Sequence, residues 1–264
     1  HEITVEALIT TDTCKPETIQ PLVSKWKQLT SFDESSFDAY DAGSTDGLTC
    51  YGYLGAVFDG RYVYFSPMVY ERGKAHGNVL RYDTHGDFND PQSYDAWDAG
   101  STAGLETKGY YGAVFDGRYV YFVPRKDYLV NHSRVLRYDT HGDFKNSDSW
   151  DAYDAGEAHT QQGAAFDGRY IYFSPGYKGD PNAEDEYSGR VIRFDTRADF
   201  RDPSNWKSYD AGNTSGLKTV CFDGAGFDGR YVYFAPLLFG AVLRYDTAGD
   251  FSAGQSWSAF DAKQ

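Results

Sequence analysis

At 264 residues the chain suits one large all-β domain or two small ones, and a hydrophobic content of 41% supplies a buried core. Its 25 basic and 39 acidic residues leave a net charge of −14, which repels the phosphates of nucleic acids and disfavours anionic membranes. No apolar run approaches the ~20 residues of a membrane-spanning helix, and the 23 Tyr and 18 Phe against one Met favour pleated strands over helices.

The N-terminal 43 residues read in two ways. Glu2–Thr10 (EITVEALIT), Leu22–Gln28 (LVSKWKQ) and Ser31–Gly43 (SFDESSFDAYDAG) fall where strands fall in the repeats below, with Phe32 aligned to Phe88 and Tyr40 to Trp97. Against this, Ile19, Leu22, Val23, Trp26 and Leu29 keep helical spacing. His1 is either the mature end left by a cleaved leader or a tag remnant.

From Gly55 onward the chain repeats. GAVFDGRYVYFSP, GAVFDGRYVYFVP, GAAFDGRYIYFSP and GAGFDGRYVYFAP begin at Gly55, Gly112, Gly163 and Gly224, with Phe58, Phe115, Phe166 and Phe227 spaced by 57, 51 and 61 residues. Each is followed by VLRYDT or VIRFDT, from Val79, Val135, Val191 and Val242. Each unit ends in a SWDAYDAG-like block, from Ser93, Ser149, Asn205 and Ser256. Four strands per unit follow, here A (GAVF), B (RYVYF), C (VLRYD) and D (WDAYD). An Asp-Gly turn joins A to B, and Asp-Thr-rich turns join C to D. Strands B and C are apolar on both faces, as a sheet packed between two others requires.

Four-stranded units of this length predict an all-β fold, a β-propeller of antiparallel blades formed by residues 1–264 as one domain. Residues 1–43 form a diverged first blade, and 44–100, 101–156, 157–212 and 213–264 form the regular ones. Five D-like strands favour five blades; the helical reading of the N-terminus leaves four. The architecture resembles that of five-bladed propellers, the tachylectin-like lectins and five-bladed glycoside hydrolases among them, over most of the chain. No Asp-box, WD, kelch or FTQGL-like motif accompanies it, so the resemblance implies a fold and no residue roles.

Residues present in every unit read as scaffold. These are the hairpin Asp59, Asp116, Asp167 and Asp228, the Asp-Thr turns at Asp83, Asp139, Asp195 and Asp246, and strand-C Arg81, Arg137, Arg193 and Arg244, each expected to pair with a neighbouring Asp. His85 and His141 give way to Arg197 and Ala248 in later units and read as exposed turn residues.

Strand alternation puts the B–C and D–A connections on one face, and sequence variation concentrates there. Tyr51, Tyr53, Tyr110 and Tyr111 enter strand A from this face, either as rings on which a sugar stacks or as a plug of the central channel. His76, His132, Gln161 and Gln162 join them as candidate ligand-binding residues. His159, Glu106 and Asp223 are the candidates for catalysis, since Asp46, Glu106, Glu157 and Asp223 all lie in D–A loops and a glycosidase needs two facing carboxyls. Asp180–Glu186 (DPNAEDE) offers oxygen ligands for calcium or a solvated acidic loop, and no metal motif is present. Cys14, Cys50 and Cys221 fall on the same face, allowing one disulfide. The expectation is a secreted or extracellular carbohydrate-binding, lectin-like protein; the alternative is a glycoside hydrolase or polysaccharide lyase acting in the central pocket.

Overall fold

The computed structural model describes residues 37–262, apart from 72, 128–129, 157–158 and 180–185. The chain divides into two compact units, His1–Tyr40 and Asp41–Gln264. The strands assigned to a diverged first blade, their helical alternative and Cys14 all lie outside the described residues, as does nearly all of the proposed calcium loop.

Within Asp41–Gln264, four antiparallel sheets of four strands follow one another in chain order. In each the order is A-B-C-D. Sheet one holds Tyr53–Phe58, Tyr62–Pro67, Asn78–Asp83 and Tyr94–Asp98. Sheet two holds Tyr110–Phe115, Tyr119–Pro124, Arg134–Asp139 and Trp150–Asp154. Sheet three holds His159–Phe166, Tyr170–Lys178, Arg190–Asp195 and Trp206–Asp210. Sheet four holds Phe222–Phe227, Tyr231–Pro236, Ala241–Asp246 and Trp257–Asp261. Consecutive strands A pack against one another, so A is the inner strand of each sheet. This is a β-propeller, with the sheets as blades.

In blades two and three both faces are core, which is why their strands B lack alternation, whereas strand C of blade four, with one covered face, alternates between buried and half-buried residues. In blade two, Val120, Phe122, Leu136, Tyr138 and Trp150 pack on Tyr64 and Val79 of blade one. The opposite face, with Tyr121, Val123 and Val135, packs on Ile171, Phe173, Ile192 and Phe194 of blade three. Aromatic rings stack between blades: Tyr153 lies 4.9 Å from Trp206 at an interplanar 19°, and Tyr209 lies 4.9 Å from Trp257 at 12°. The Trp that opens strand D donates its indole N–H to a carbonyl six residues back in blades two, three and four: Trp150 to Phe144 at 2.9 Å, Trp206 to Phe200 at 2.8 Å and Trp257 to Phe251 at 3.0 Å. The polar tip of the ring is thereby satisfied within the core.

The repeated aspartates do more than favour a turn. Asp116 accepts from the backbone N–H groups of Arg118 and Tyr119 at 2.8 and 2.7 Å, and from the Tyr121 hydroxyl at 2.9 Å. Asp59, Asp167 and Asp228 repeat this set with Tyr64, Tyr172 and Tyr233. The following arginine reaches across to the Asp-Thr turn, as in Arg118 to Asp139 at 2.6 Å. The Thr140 hydroxyl donates to the Arg118 carbonyl at 2.7 Å. The pairing expected of the strand-C arginines holds in two blades: Arg81 with Asp95 and Arg137 with Asp151. Lys207 and Ser258 stand opposite Arg193 and Arg244, because those units lack the aspartate.

The D–A connections contain short hairpins that the sequence reading left as loop: Ser44–Thr45 with Leu48–Thr49, Ser101–Thr102 with Leu105–Glu106, and Asn213–Thr214 with Leu217–Lys218. Their two-residue turns hold Asp46, Ala103 and Ser215 at φ of 53°, 55° and 57°, each followed by a glycine, as primed hairpin turns demand. Each hairpin packs against an outer strand D.

Candidate functional site at the centre of the variable face

Every strand A is bulged on its way in from the variable face. Tyr53 pairs with Pro67 but Ala56 with Phe65, so three steps of A oppose two of B. The same shift lies between Tyr110 and Ala113, Gln161 and Ala164, and Phe222 and Ala225. Gly55, Gly112, Gly163 and Gly224 take φ of 81°, 79°, 90° and 107° in these bulges, a region costly for any side chain. A Cβ on Gly163 would also stand 2.7 Å from the Gly224 Cα, so inner strands approach backbone to backbone. The bulge re-aims the residue just ahead of the glycine, which is Leu54, Tyr111, Gln162 or Asp223.

Two of these four, from blades two and four, face each other. Burial raises the Tyr111 phenol above its ordinary value, and the Asp223 carboxylate opposite it adds to the rise against the pull of Arg125. The Arg125 guanidinium lies 4.6 Å from the centroid of the Tyr111 ring. Blade three adds Tyr177, bridged to Tyr187 with ring centroids 5.8 Å apart. Tyr187 in turn meets Phe239 of blade four edge-on at 5.1 Å, and the Lys218 ammonium sits 4.0 Å over Phe239. Burial, then the Cys221 thiol, raises the Tyr177 phenol; burial likewise raises Cys221. Three blades thus bring two phenols, a guanidinium, a carboxylate and an aromatic wall to one place. Sheet register, rather than any local motif, makes the cluster; only Tyr111 and Asp223 stood out in the sequence.

The other candidates separate. Tyr51 is 48% exposed and touches Tyr70 edge-on at 6.3 Å. The half-buried Tyr53 donates its hydroxyl to the Asn78 carbonyl at 3.0 Å. Tyr110, expected on the face, is fully buried, because the residue before the bulge points into the inter-blade core beside Phe122. Gln161 takes the equivalent place in blade three and is buried too, as is Gln162 against Gly176.

Both loop histidines are core residues as well. His76 is enclosed by Tyr53 and Tyr70, and burial lowers its pKa. His132 donates from Nε2 to the Lys108 carbonyl at 2.8 Å and accepts at Nδ1 from the Arg134 N–H at 3.2 Å. Burial, then the Arg134 charge, pulls His132 down to about 3, so it is neutral at physiological pH. His159 is half-buried, with Nδ1 3.2 Å from the Ser188 hydroxyl.

Asp46 and Glu106 do not converge on Asp223, since their hairpins sit out beside strands D. Asp46 accepts from the Ala96 N–H at 2.9 Å and pairs with Lys145 at 2.8 Å. Glu106 lies 4.0 Å from both Lys108 and Arg134. Glu157 lies outside the described residues. Cys50 and Cys221 are both buried and free, so no disulfide joins them. Cys50 takes the place of Thr107, and Cys221 that of Gly109. Among the described residues no three His, Cys, Asp or Glu side chains are grouped to hold a metal, and no helix is long and apolar enough to cross a membrane.

No family model matches the chain, and no curated protein matches it. Among solved structures it is similar to a catalytically inactive virginiamycin B lyase from Staphylococcus aureus crystallised with quinupristin. The identity is 15% and the TM-score 0.48, over 80% of this chain and 55% of that one. AztD from Citrobacter koseri is matched at 11% identity and TM-score 0.43, over 76% and 45%. The hydrazine synthase of Kuenenia stuttgartiensis is matched at 13% and 0.46, over 71% and 50%. The chain spans about half the length of these structures. The propeller assignment rests on its own four sheets.

Proposed function

We propose that the centre of the variable face binds a carbohydrate or a similar small polar ligand. The observation that carries this reading is the convergence of Tyr111, Arg125, Tyr177 and Asp223 from three blades. Phenol rings present flat apolar faces to the C–H side of a sugar, while hydroxyl, guanidinium and carboxylate groups bond its hydroxyls. Repeat-derived strands hold these unlike side chains on a rigid frame, which lowers the ordering cost of binding. An extracellular setting accords with this role and with the strongly acidic surface.

A second reading is favoured by the same groups. A neutral phenol beside a carboxylate and a guanidinium supplies an acid, a base and a charge partner for a polysaccharide lyase. A hydrolase has less support, because Asp223 stands without a second carboxyl in the cluster among the described residues.

A glycan array followed by calorimetry tests the binding reading. Saturable binding that Tyr111→Ala abolishes is the expected result, and no hit among neutral and acidic glycans removes it. Release of unsaturated sugar products would favour the lyase.

A further inference from the structure

The undersides of blades one and two share one charged arrangement, which blade four lacks because Ser258 stands opposite Arg244, and which blade three inverts. In blade one the Asp95 carboxylate is bracketed by Arg81 at 2.8 Å and by Lys145 of the next blade at 3.0 Å. In blade two Asp151 is bracketed by Arg137 at 3.2 Å and by Arg201 of the next blade at 2.5 Å. Blade three keeps two cations and loses the acid. Lys207 replaces the aspartate directly opposite Arg193, and Ser252 replaces the cation from the following blade.

Arg193 is held ready for an acceptor. Its guanidinium lies between the Tyr170 and Phe251 rings, 4.2 and 4.3 Å from their centroids. Arg81 and Arg137 are sandwiched in the same way, and both spend their free edge on an aspartate. Among the described residues Arg81 and Arg137 each have a carboxylate partner, while Arg193 faces Lys207 and no ion pair with a carboxylate is formed by either. The pocket they share has a volume of about 240 Å³ and is lined also by Arg169, Asp195, Ser204 and Asn205. It therefore carries three cations and one carboxylate, that carboxylate being bound to Arg169 at 2.7 Å. The matching pocket of blade two carries two cations and three carboxylates, Asp139, Asp148 and Asp151. In a chain of net charge −14 this is a local inversion of sign.

We propose that the blade-three pocket is an oxyanion-binding site, in which a carboxylate or sulfate from outside takes the place of the missing aspartate. A fixed guanidinium fork matches two oxygens of such a group, and Lys207 adds a second charge. The anion is either free in solution or carried on a sugar as a uronate or sulfate ester. The site is separate from the variable face, and either can fail without the other.

Calorimetry on the full chain at low ionic strength, with sulfate, acetate, glucuronate and glucose, tests it. Saturable binding of sulfate or acetate is expected, weakened at least tenfold in Lys207→Asp, which restores the pattern of blades one and two. Tyr111→Ala leaves that binding unchanged. Tighter binding of glucuronate than of acetate, lost in Lys207→Asp, identifies a sugar-borne anion; equal binding identifies a free one. Asp151→Lys builds the same pocket in blade two and is expected to add a second site. No saturable binding of any anion, or equal binding by wild type and Lys207→Asp, overturns the proposal.

Discussion

The Arg125 guanidinium covers the Tyr111 ring at 4.6 Å, joining the entry of one blade's B–C connection to the bulge of its own strand A. Arg125 thereby fixes the ring and brings a charge to the carboxylate side of the site. Arg125→Ala and Tyr111→Ala are each expected to weaken ligand binding tenfold or more, about 1.4 kcal/mol, with the unfolding midpoint little changed. Because burial and Asp223 raise the Tyr111 phenol, binding stays flat up to about pH 10 and falls only above it. Calorimetric titrations from pH 6 to pH 11 check the profile.

The hairpin aspartates are a stability test. Asp116→Ala removes two turn hydrogen bonds and strands the hydroxyl of the fully buried Tyr121. The cost is expected at about 2–4 kcal/mol in urea unfolding. Asp228→Ala is milder, because Tyr233 is only half-buried and its hydroxyl keeps access to water.

Acid should unfold the propeller through its turn carboxylates. At Asp139 and Asp195 burial works to raise the pKa, but the arginine hydrogen bonds, Arg118 and Arg169 respectively, with turn N–H groups outweigh it and hold both below the ordinary range. A carboxyl lowered on folding stabilises the fold fully above its unfolded value near 3.9, and that contribution is lost as pH falls through the folded value. Urea midpoints are expected to be level from pH 7 to about pH 5 and to drop below about pH 4. A midpoint that rises on acidification contradicts this.

Inter-blade stacking predicts a contrast between two aromatic residues of strand D. Trp206 stacks on Tyr153, on Phe173 at 6.0 Å and on Phe194 at 4.5 Å. Trp206→Ala is expected to cost about 3–5 kcal/mol. Phe260, at the strand-D position of Tyr153 and Tyr209, is 65% exposed. Phe260→Ala is expected to cost less than about 1 kcal/mol. Equal losses would remove stacking as the source of the difference.

Cys221 holds φ at 57° where Gly52 and Gly109 stand in earlier blades. It fits because the B–C connection of blade four is short; at Gly109 a Cβ would meet the Lys126 carbonyl oxygen at 1.8 Å. Cys221→Gly is expected to be nearly neutral, whereas Gly109→Cys costs about 3 kcal/mol or prevents folding. Burial raises both the Cys50 and Cys221 thiols, so neither should react with a thiol reagent until urea opens the fold. Peptide mapping after alkylation reads this directly.

The sequence by itself determined the blades. Strands apolar on both faces, punctuated at fixed places by Asp-Gly and Asp-Thr, have no stable arrangement except sheets packed between sheets, and the repeat sets their number among the described residues. It also separated the scaffold aspartates and arginines from the variable connections, because recurrence in every unit is visible without coordinates. Tertiary structure alone decided which variable residues face a ligand. Tyr110 and Tyr111 are adjacent and chemically alike, yet the bulge sends one into the core and the other onto the face, a one-residue register effect that composition does not carry. Asp223, Arg125 and Tyr177 joined Tyr111 only when three blades closed on one another. Lys207 acquired meaning only through the aspartates that occupy its place in neighbouring blades, since a charge is paired or unpaired according to what the fold sets opposite it.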